Sequence, residues 1–388
     1  MFSVTLTYIL YDSLLLLCPI LCSHYDIVGH TVNKQWTNNR EKRNINYAIL
    51  GYLILFIVLA FRYDIGADYE NYAEGILDLV GLYNSNYSLM EVLSDFNKEP
   101  AIPLLSYLFR GLDYPHLWVL GIMSLGYIIL IYKVFDNYKI HGFGVFVLII
   151  SYVYFQSMDW VRQSMAFVIF LYSFRHLENG NFWKYFLGIC CAGLFHYTSL
   201  FLLLLYFLKN VKIGVKYLSL ITFSVFILAE LGILDTFHDL LQMLAVFYND
   251  GYATSDHMVF GSGTYHTTTF ILTMLWYQFW LYMSKYIHSP YLSLFFSIGI
   301  ILYAISGGNL LVDRIAYYFT SLQIIIIPLV YRKISLDKGK KFVMIFVFVM
   351  QFVIFNYVYI GAGFRGCVPY ESILSTNCEN TQFRYRDY

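Results

Sequence analysis

Residues 46–72, NYAILGYLILFIVLAFRYDIGADYENY, hold both halves of the question this chain poses. Residues 46–61 carry no charge and approach the length of about 20 apolar residues needed to cross a hydrocarbon core of about 30 Å. The run stops at Arg62, where charge returns at once with Asp64, Asp68 and Glu70. An apolar segment ending in a concentrated charged turn reads as a membrane helix meeting water.

The same pattern recurs along the chain. Apolar runs fall near residues 4–22, 114–134, 142–157, 160–175, 182–208, 216–232, 268–284, 290–306, 311–331 and 342–360. Of the 388 residues 59% are hydrophobic and only 13% charged, where an ordinary soluble domain has about a quarter. The formal net charge is zero, which excludes the basic surface of a nucleic-acid binder and an acidic disordered chain. The fold class is therefore an all-α polytopic integral membrane protein. The first run lacks a basic n-region and contains Asp12, so it reads as a retained helix, not a cleaved signal.

Lys- and Arg-rich short loops mark the cytoplasmic side. Lys34, Arg40, Lys42 and Arg43 follow the first run, and Arg332, Lys333, Lys338, Lys340 and Lys341 precede the last. Placing Lys209, Lys212 and Lys216 on that same side requires residues 182–208 to go out and return, as two short or re-entrant helices with His196 at the turn. The length rule then gives about 12 transmembrane segments with both termini outside, in a single transmembrane domain over 1–388. Outer segments fall at 62–113 and 233–267, with an outer tail over 361–388. Apolar residues at helical spacing around 72–82 and 102–112 predict partly embedded surface helices in the first of these.

Three outer helix ends each carry one arginine: Arg62, Arg162 in MDWVRQ (158–163), and Arg314 in LVDRIAYY (311–318). Arginine near the hydrocarbon boundary costs up to about 3 kcal/mol, so it faces a cavity or a partner. Anions are the natural partners; salt bridging to Asp159 or Asp313 and outward snorkelling of Arg62 are the competing readings. Gly66 permits a turn bringing Asp64 and Asp68 back towards Arg62. His196 reads as a phosphate donor or proton carrier, or as a polar helix cap. Glu99, fixed by Pro100 and Pro103 where the chain re-enters the interface, reads as a general base or a solvated loop residue. The 38 tyrosines, Tyr63, Tyr69, Tyr72, Tyr317 and Tyr318 among them, suit an aromatic belt before a sugar-stacking surface. Neither a metal-ligand spacing nor a nucleotide-binding loop is present, so no metal and no cofactor is expected. Cys367 and Cys378 fall in the outer tail, where a disulfide can form.

Taken in order, several short motifs resemble the EpsG family, grouped with the Wzy-type polymerases of bacterial surface polysaccharides. They are the Arg62 to Tyr72 stretch with its Gly-x-Asp-Tyr-x-x-Tyr core, Lys98-Glu99-Pro100, Arg162-Gln163, Phe195-His196-Tyr197-Thr198, Asp313-Arg314 with Tyr317-Tyr318, and Pro369-Tyr370. Asp64 departs from that pattern and is not carried over. The resemblance implies a multi-pass glycosyltransferase of GT-C-like architecture in the bacterial cytoplasmic (inner) membrane, with its active site on the outer face. It would join polyprenyl-diphosphate-linked oligosaccharide repeat units in capsule, exopolysaccharide or O-antigen synthesis. Arg62, Arg162 and Arg314 would hold the diphosphate, Asp68 or Glu99 would take the acceptor's proton, and His196 would assist. Tyr69, Tyr72, Gln163 and Tyr318 would contact sugar. Membrane lipid, a chain-length regulator and a flippase are the partners implied. The rival reading is a lipid-linked oligosaccharide flippase or another polysaccharide transporter, which would carry buried charges near the midplane and on both sides.

Overall fold

The computed structural model describes residues 4–31, 39–95, 99–234, 267–287, 289–306, 309–334, 338–361 and 363–374. Among these the chain is helical, and the sole β-type pairing is one isolated antiparallel bridge between Arg62 and Ser372. Four helical stretches are long and apolar enough to cross a membrane: Val4–Asp26, Pro115–Tyr138, Leu311–Ile334 and Gly339–Gly361. Shorter apolar helices, Asn46–Ala60, Phe182–Phe195, Tyr197–Leu208 and Pro290–Ser306, accompany them. The all-helical, multi-pass expectation holds.

Chain contacts divide the molecule into two units. The first comprises residues 1–206 and 349–388, the second 207–348. In the first unit α1 (Val4–Thr31) packs on α2 (Asn39–Ala60) and on α7 (His141–Ile150). Asp26 of α1 accepts the backbone N–H groups of His141 and Gly142, both at 2.9 Å, and so satisfies two of the orphan donors that open α7. Residues 142–157, expected as one span, are broken into α7 and α8 (Val153–Asp159), which meet at 58°. The break has identifiable causes. Tyr152 sits at φ 66°, stacked on Tyr359 at 4.4 Å between centroids, and the carbonyl of Ile150 accepts from Gln351 Nε2 at 3.2 Å. Irregular backbone at membrane depth requires that kind of compensation.

The segment between α2 and α6 (Pro115–Tyr138) folds as three surface helices, α3 (Tyr69–Asn84), α4 (Leu89–Asp95) and α5 (Ala101–Phe109). Two coincide with the amphipathic stretches expected there. Along α3 the buried positions Tyr69, Ala73, Ile76, Val80 and Tyr83 recur every three or four residues, so one stripe faces inward. Ser88 and Glu91 open α4 as a capping box: Ser88 N–H donates to the Glu91 carboxylate at 2.7 Å and Glu91 N–H to Ser88 Oγ at 3.3 Å. Leu79, Tyr83 and Val92 form the small core that joins these helices.

α9 (Val161–Glu178) packs against α10 (Phe182–Phe195), where a Cβ on Gly188 would lie 2.0 Å from Ser173 Oγ. After α10 the chain turns back. Tyr185 Oη donates to the Leu202 carbonyl at 2.6 Å and Tyr206 Oη to the Gly180 carbonyl at 2.8 Å. α10 and the following 3₁₀ helix Tyr197–Leu204, continued by α11 (Leu205–Leu208), thus form a hairpin with His196 at its tip. The 14 residues of α10 rise about 21 Å, short of a hydrocarbon core, and the expected turn of the run at His196 is present.

The described part of the tail, residues 363–374, does not trail outward as a polar extension. Gly366, Cys367, Tyr370, Glu371 and Ser372 are buried, and Tyr370 donates through N–H to Thr7 Oγ1 and through Oη to the Val58 carbonyl, both at 2.9 Å. Cys367 Sγ lies 3.7 and 3.8 Å from the carbonyls of Arg365 and Phe155; its expected partner Cys378 lies outside the described residues.

The second unit contains α12 (Val215–Glu230), α13 (Thr268–Met283), α14 (Pro290–Ser306), α15 (Leu310–Thr320), α16 (Gln323–Ile334) and most of α17 (Lys338–Ile354). Its helices are cross-linked by few polar bonds, among them Thr222 to Gln278 at 3.0 Å and Trp276 to Gln323 at 2.7 Å. Most of the expected outer segment 233–267 lies outside the described residues.

Candidate functional site

The first unit gathers four of the residues singled out from the sequence. Glu99 precedes α5, Arg162 stands in the first turn of α9, His196 occupies the hairpin tip and Tyr72 the first turns of α3. Glu99 is the hub. Its Oε2 accepts from Arg162 Nη1, its Oε1 meets His196 Nδ1 at 2.7 Å, and the same Oε1 accepts the Tyr197 N–H at 3.1 Å. Side-chain exposure is 10% at Glu99 and 12% at His196 but 38% at Arg162, so the guanidinium is the part that meets the surroundings. Its Cζ also lies 5.5 Å from the Tyr72 ring centroid, within cation–π range.

The local folding explains the convergence. His196 has extended backbone (φ −155°, ψ 113°), which ends α10 and throws the ring sideways off the tip. Pro100 directly after Glu99 starts α5, so the carboxylate is delivered from the entry of a short rigid helix.

Burial alone would raise the Glu99 carboxyl. The His196 hydrogen bond, the Arg162 charge and the Tyr197 N–H outweigh that effect and hold it below the ordinary carboxylate range. An ionised carboxylate on Nδ1 makes that nitrogen the protonated one. The other ring nitrogen, Nε2, is buried with no hydrogen-bond partner among the described residues.

Arg62 behaves differently. It is 2% exposed and does not snorkel outward. Its Nη1 donates to the Leu59 carbonyl at the end of α2 and reaches Ser124 Oγ of α6 at 3.4 Å; its Nη2 lies 3.5 Å from the Met158 carbonyl of α8. Among the described residues neither Asp64 nor Asp68 forms an ion pair with Arg62. Gly66 sits at φ 103°, and a Cβ there would lie 2.5 Å from the Met158 carbonyl. The turn instead lies along the tail: Gly66 N–H donates to the Gly366 carbonyl at 3.2 Å and Ala67 N–H to the Arg365 carbonyl at 3.0 Å.

Asp159 does not pair with Arg162. Its Oδ1 accepts the Asp68 N–H at 3.0 Å and its Oδ2 the Arg365 Nη1 at 3.1 Å, while Arg365 Cζ stands 4.1 Å over the Trp160 ring. Arg365 was missed in the sequence because its partner is 206 positions away. The available signal was Asp159 itself, a charge between apolar neighbours that requires a cation.

Asp68 directly precedes α3, half-buried and without a side-chain cap hydrogen bond; Tyr69 is buried with its ring 6.0 Å from that of Tyr63, and Gln163 is buried beside Arg162. Arg314 and Tyr318 lie on α15 in the second unit, Arg314 half-buried and Tyr318 fully buried. No group of His, Cys, Asp and Glu suited to a metal ion occurs among the described residues.

Long and short apolar helices, with a buried carboxylate joining a guanidinium to an imidazole, define a multi-pass membrane protein with a buried polar cluster. Residues 45–372 match the model of the EpsG family, and the chain belongs to that family. No curated protein and no solved structure matches it. Membership carries with it a Wzy-like role in polysaccharide biosynthesis.

Proposed function

We propose that this protein is a membrane glycosyltransferase that joins polyprenyl-diphosphate-linked oligosaccharide repeat units at the outer face of the bacterial cytoplasmic membrane, through about 12 membrane segments in a GT-C-like arrangement. The observation that carries the reading is the Arg162–Glu99–His196 constellation.

An acceptor hydroxyl attacks the anomeric carbon of the lipid-linked chain. The new carbon–oxygen bond forms as the bond to the diphosphate oxygen breaks, and the electron pair leaves with the diphosphate. Arg162, the most exposed of the three groups, suits the negative charge that develops there, because a planar guanidinium matches phosphate oxygens. The hydroxyl proton goes to His196 Nε2. Glu99, held below the ordinary carboxylate range, is a poor proton acceptor and serves to orient the ring and stabilise the imidazolium. Tyr72 and Gln163, flanking Arg162, supply sugar contacts. Arg62 acts as a positioning residue that fixes the ends of α2 and α8. Asp68, whose main chain is anchored on Asp159, sits at the edge of this arrangement.

The test is extension of a defined lipid-linked repeat by the purified protein. Wild type should build a ladder of products, and His196→Ala and Arg162→Ala should leave the single repeat unextended at the outer face of cells. Accumulation of that repeat at the inner face in the Arg162→Ala strain would instead assign the protein to lipid-linked oligosaccharide transport.

A further inference from the structure

Within the second unit, a cavity of about 800 Å³ opens between the start of α12, the end of α13 and the start of α14. Lys216, Tyr217, Tyr282, Lys285, Pro290 and Ser293 are among its walls, and among the described residues no acidic side chain lines it. Lys285 Nζ rests 3.6 Å from the centroid of the Tyr282 ring, which holds the ammonium at the cavity wall. Neither Lys216 nor Lys285 forms an ion pair with a carboxylate among the described residues, so both charges are available to an incoming anion. The first turns of α12 and α14 also open here, at Val215 and Pro290, adding the positive ends of two helix dipoles.

We infer that this cavity is a binding site for the phosphate headgroup of an anionic membrane lipid. Phosphate chemistry follows from two ammonium groups, neither with a carboxylate partner among the described residues, beside two helix N-termini at a roomy recess. A lipid source follows from what adjoins it. Tyr217, Leu220, Ile221, Ile227 and Leu228 are exposed on α12, an apolar track that leads away from the cavity and suits an acyl chain. The basic residues nearby, Lys209, Lys212 and Lys216, mark this end of the unit as cytoplasmic, the leaflet whose anionic headgroups attract such clusters. The site is separate from the residues assigned to polymerisation and does not depend on that assignment.

The experiment uses the full chain in mild detergent, titrated with phosphatidylglycerol or phosphatidylcholine of matched acyl chains and read by native mass spectrometry. Wild type should retain one phosphatidylglycerol about tenfold more strongly than phosphatidylcholine. The Lys216→Gln/Lys285→Gln protein should lose that preference, and the Lys216→Arg/Lys285→Arg protein should keep it, which separates lost charge from lost folding. Equal retention of both lipids by wild type, or an undiminished preference in the glutamine variant, overturns the site. A third arm adds inorganic phosphate alone. Binding of phosphate that needs both lysines, without any lipid preference, overturns the lipid-headgroup assignment and reassigns the recess to a soluble phosphate.

Discussion

Arg62 and Arg162 look alike in the sequence, each a single arginine at the end of an apolar run, yet the structure uses them in opposite ways. Arg62 is sealed among two carbonyls and a serine hydroxyl at the junction of α2, α6 and α8, with no carboxylate partner among the described residues. Arg162 reaches a carboxylate, keeps over a third of its side chain exposed and sits over an aromatic ring. A buried cation held only by neutral acceptors is a fixed staple, since displacing it leaves those acceptors and its own charge unsatisfied. A cation half in the open and balanced by one carboxylate is able to exchange part of that pairing for a ligand.

Substitutions should separate the two regions sharply. His196→Ala is expected to lower extension by about 10²- to 10⁴-fold, the scale of a lost proton acceptor, with the melting temperature nearly unchanged. Arg162→Ala should cost about 10²- to 10³-fold in extension, whereas Arg162→Lys retains the charge and recovers only part of it. Comparable loss on replacing Gln163 and none on replacing Arg162 would erase the distinction drawn between the two arginines.

In the other region the readout is folding. Gly66→Val combines a left-handed backbone with a Cβ placed 2.5 Å from a carbonyl, so destabilisation by about 3 kcal/mol or more should appear as a lower thermal midpoint in detergent. Asp159→Asn, which breaks the link between Arg365 and the Asp68 turn, should cost about 1–3 kcal/mol in the same assay. A wild-type midpoint in Gly66→Val would show that the turn yields without cost.

The smallest effect concerns pH. Because the folded Glu99 carboxyl lies below its ordinary value of 4.5, its contribution to stability is fully present above that value and disappears as pH falls through the lowered one. The stability margin of wild type over Glu99→Gln should therefore be constant near neutrality and shrink only in acid. A margin that grows on acidification would mean that the carboxyl binds its proton more readily in the folded protein.

Much of this arrangement was legible in the sequence, because it rests on local signals. Run lengths and the lysines flanking residues 182–208 required a turn at His196, and the hairpin is there. Helical spacing of apolar residues marked α3 and α5. Arg162, Glu99, His196 and Tyr72 were each candidates on chemical grounds, and the structure brings these four together. What escaped depends on long-range partners. The break at Tyr152 is held by Gln351 and Tyr359, two hundred or more positions away, and leaves no local Pro or Gly signature. The pairing of Asp159 with Arg365 was hidden for the same reason, since the nearest arginine in sequence, Arg162, was the obvious and wrong partner.

The hairpin that carries His196 also works as a depth gauge. Its two arms are clasped at the base by Tyr206 on Gly180 and midway by Tyr185 on Leu202, so the height of the tip is set by the residue count of α10. One residue inserted between clasp and tip would raise the imidazole by about 1.5 Å and swing it through about 100°, beyond hydrogen-bond reach of Glu99. Two inserted residues would swing it to the far side of the helix, whereas seven, close to two full turns, would restore its direction at a level about 10 Å higher. Length in this arm is thus a quantised variable, and relatives with longer or shorter arms must change Glu99's mount in step.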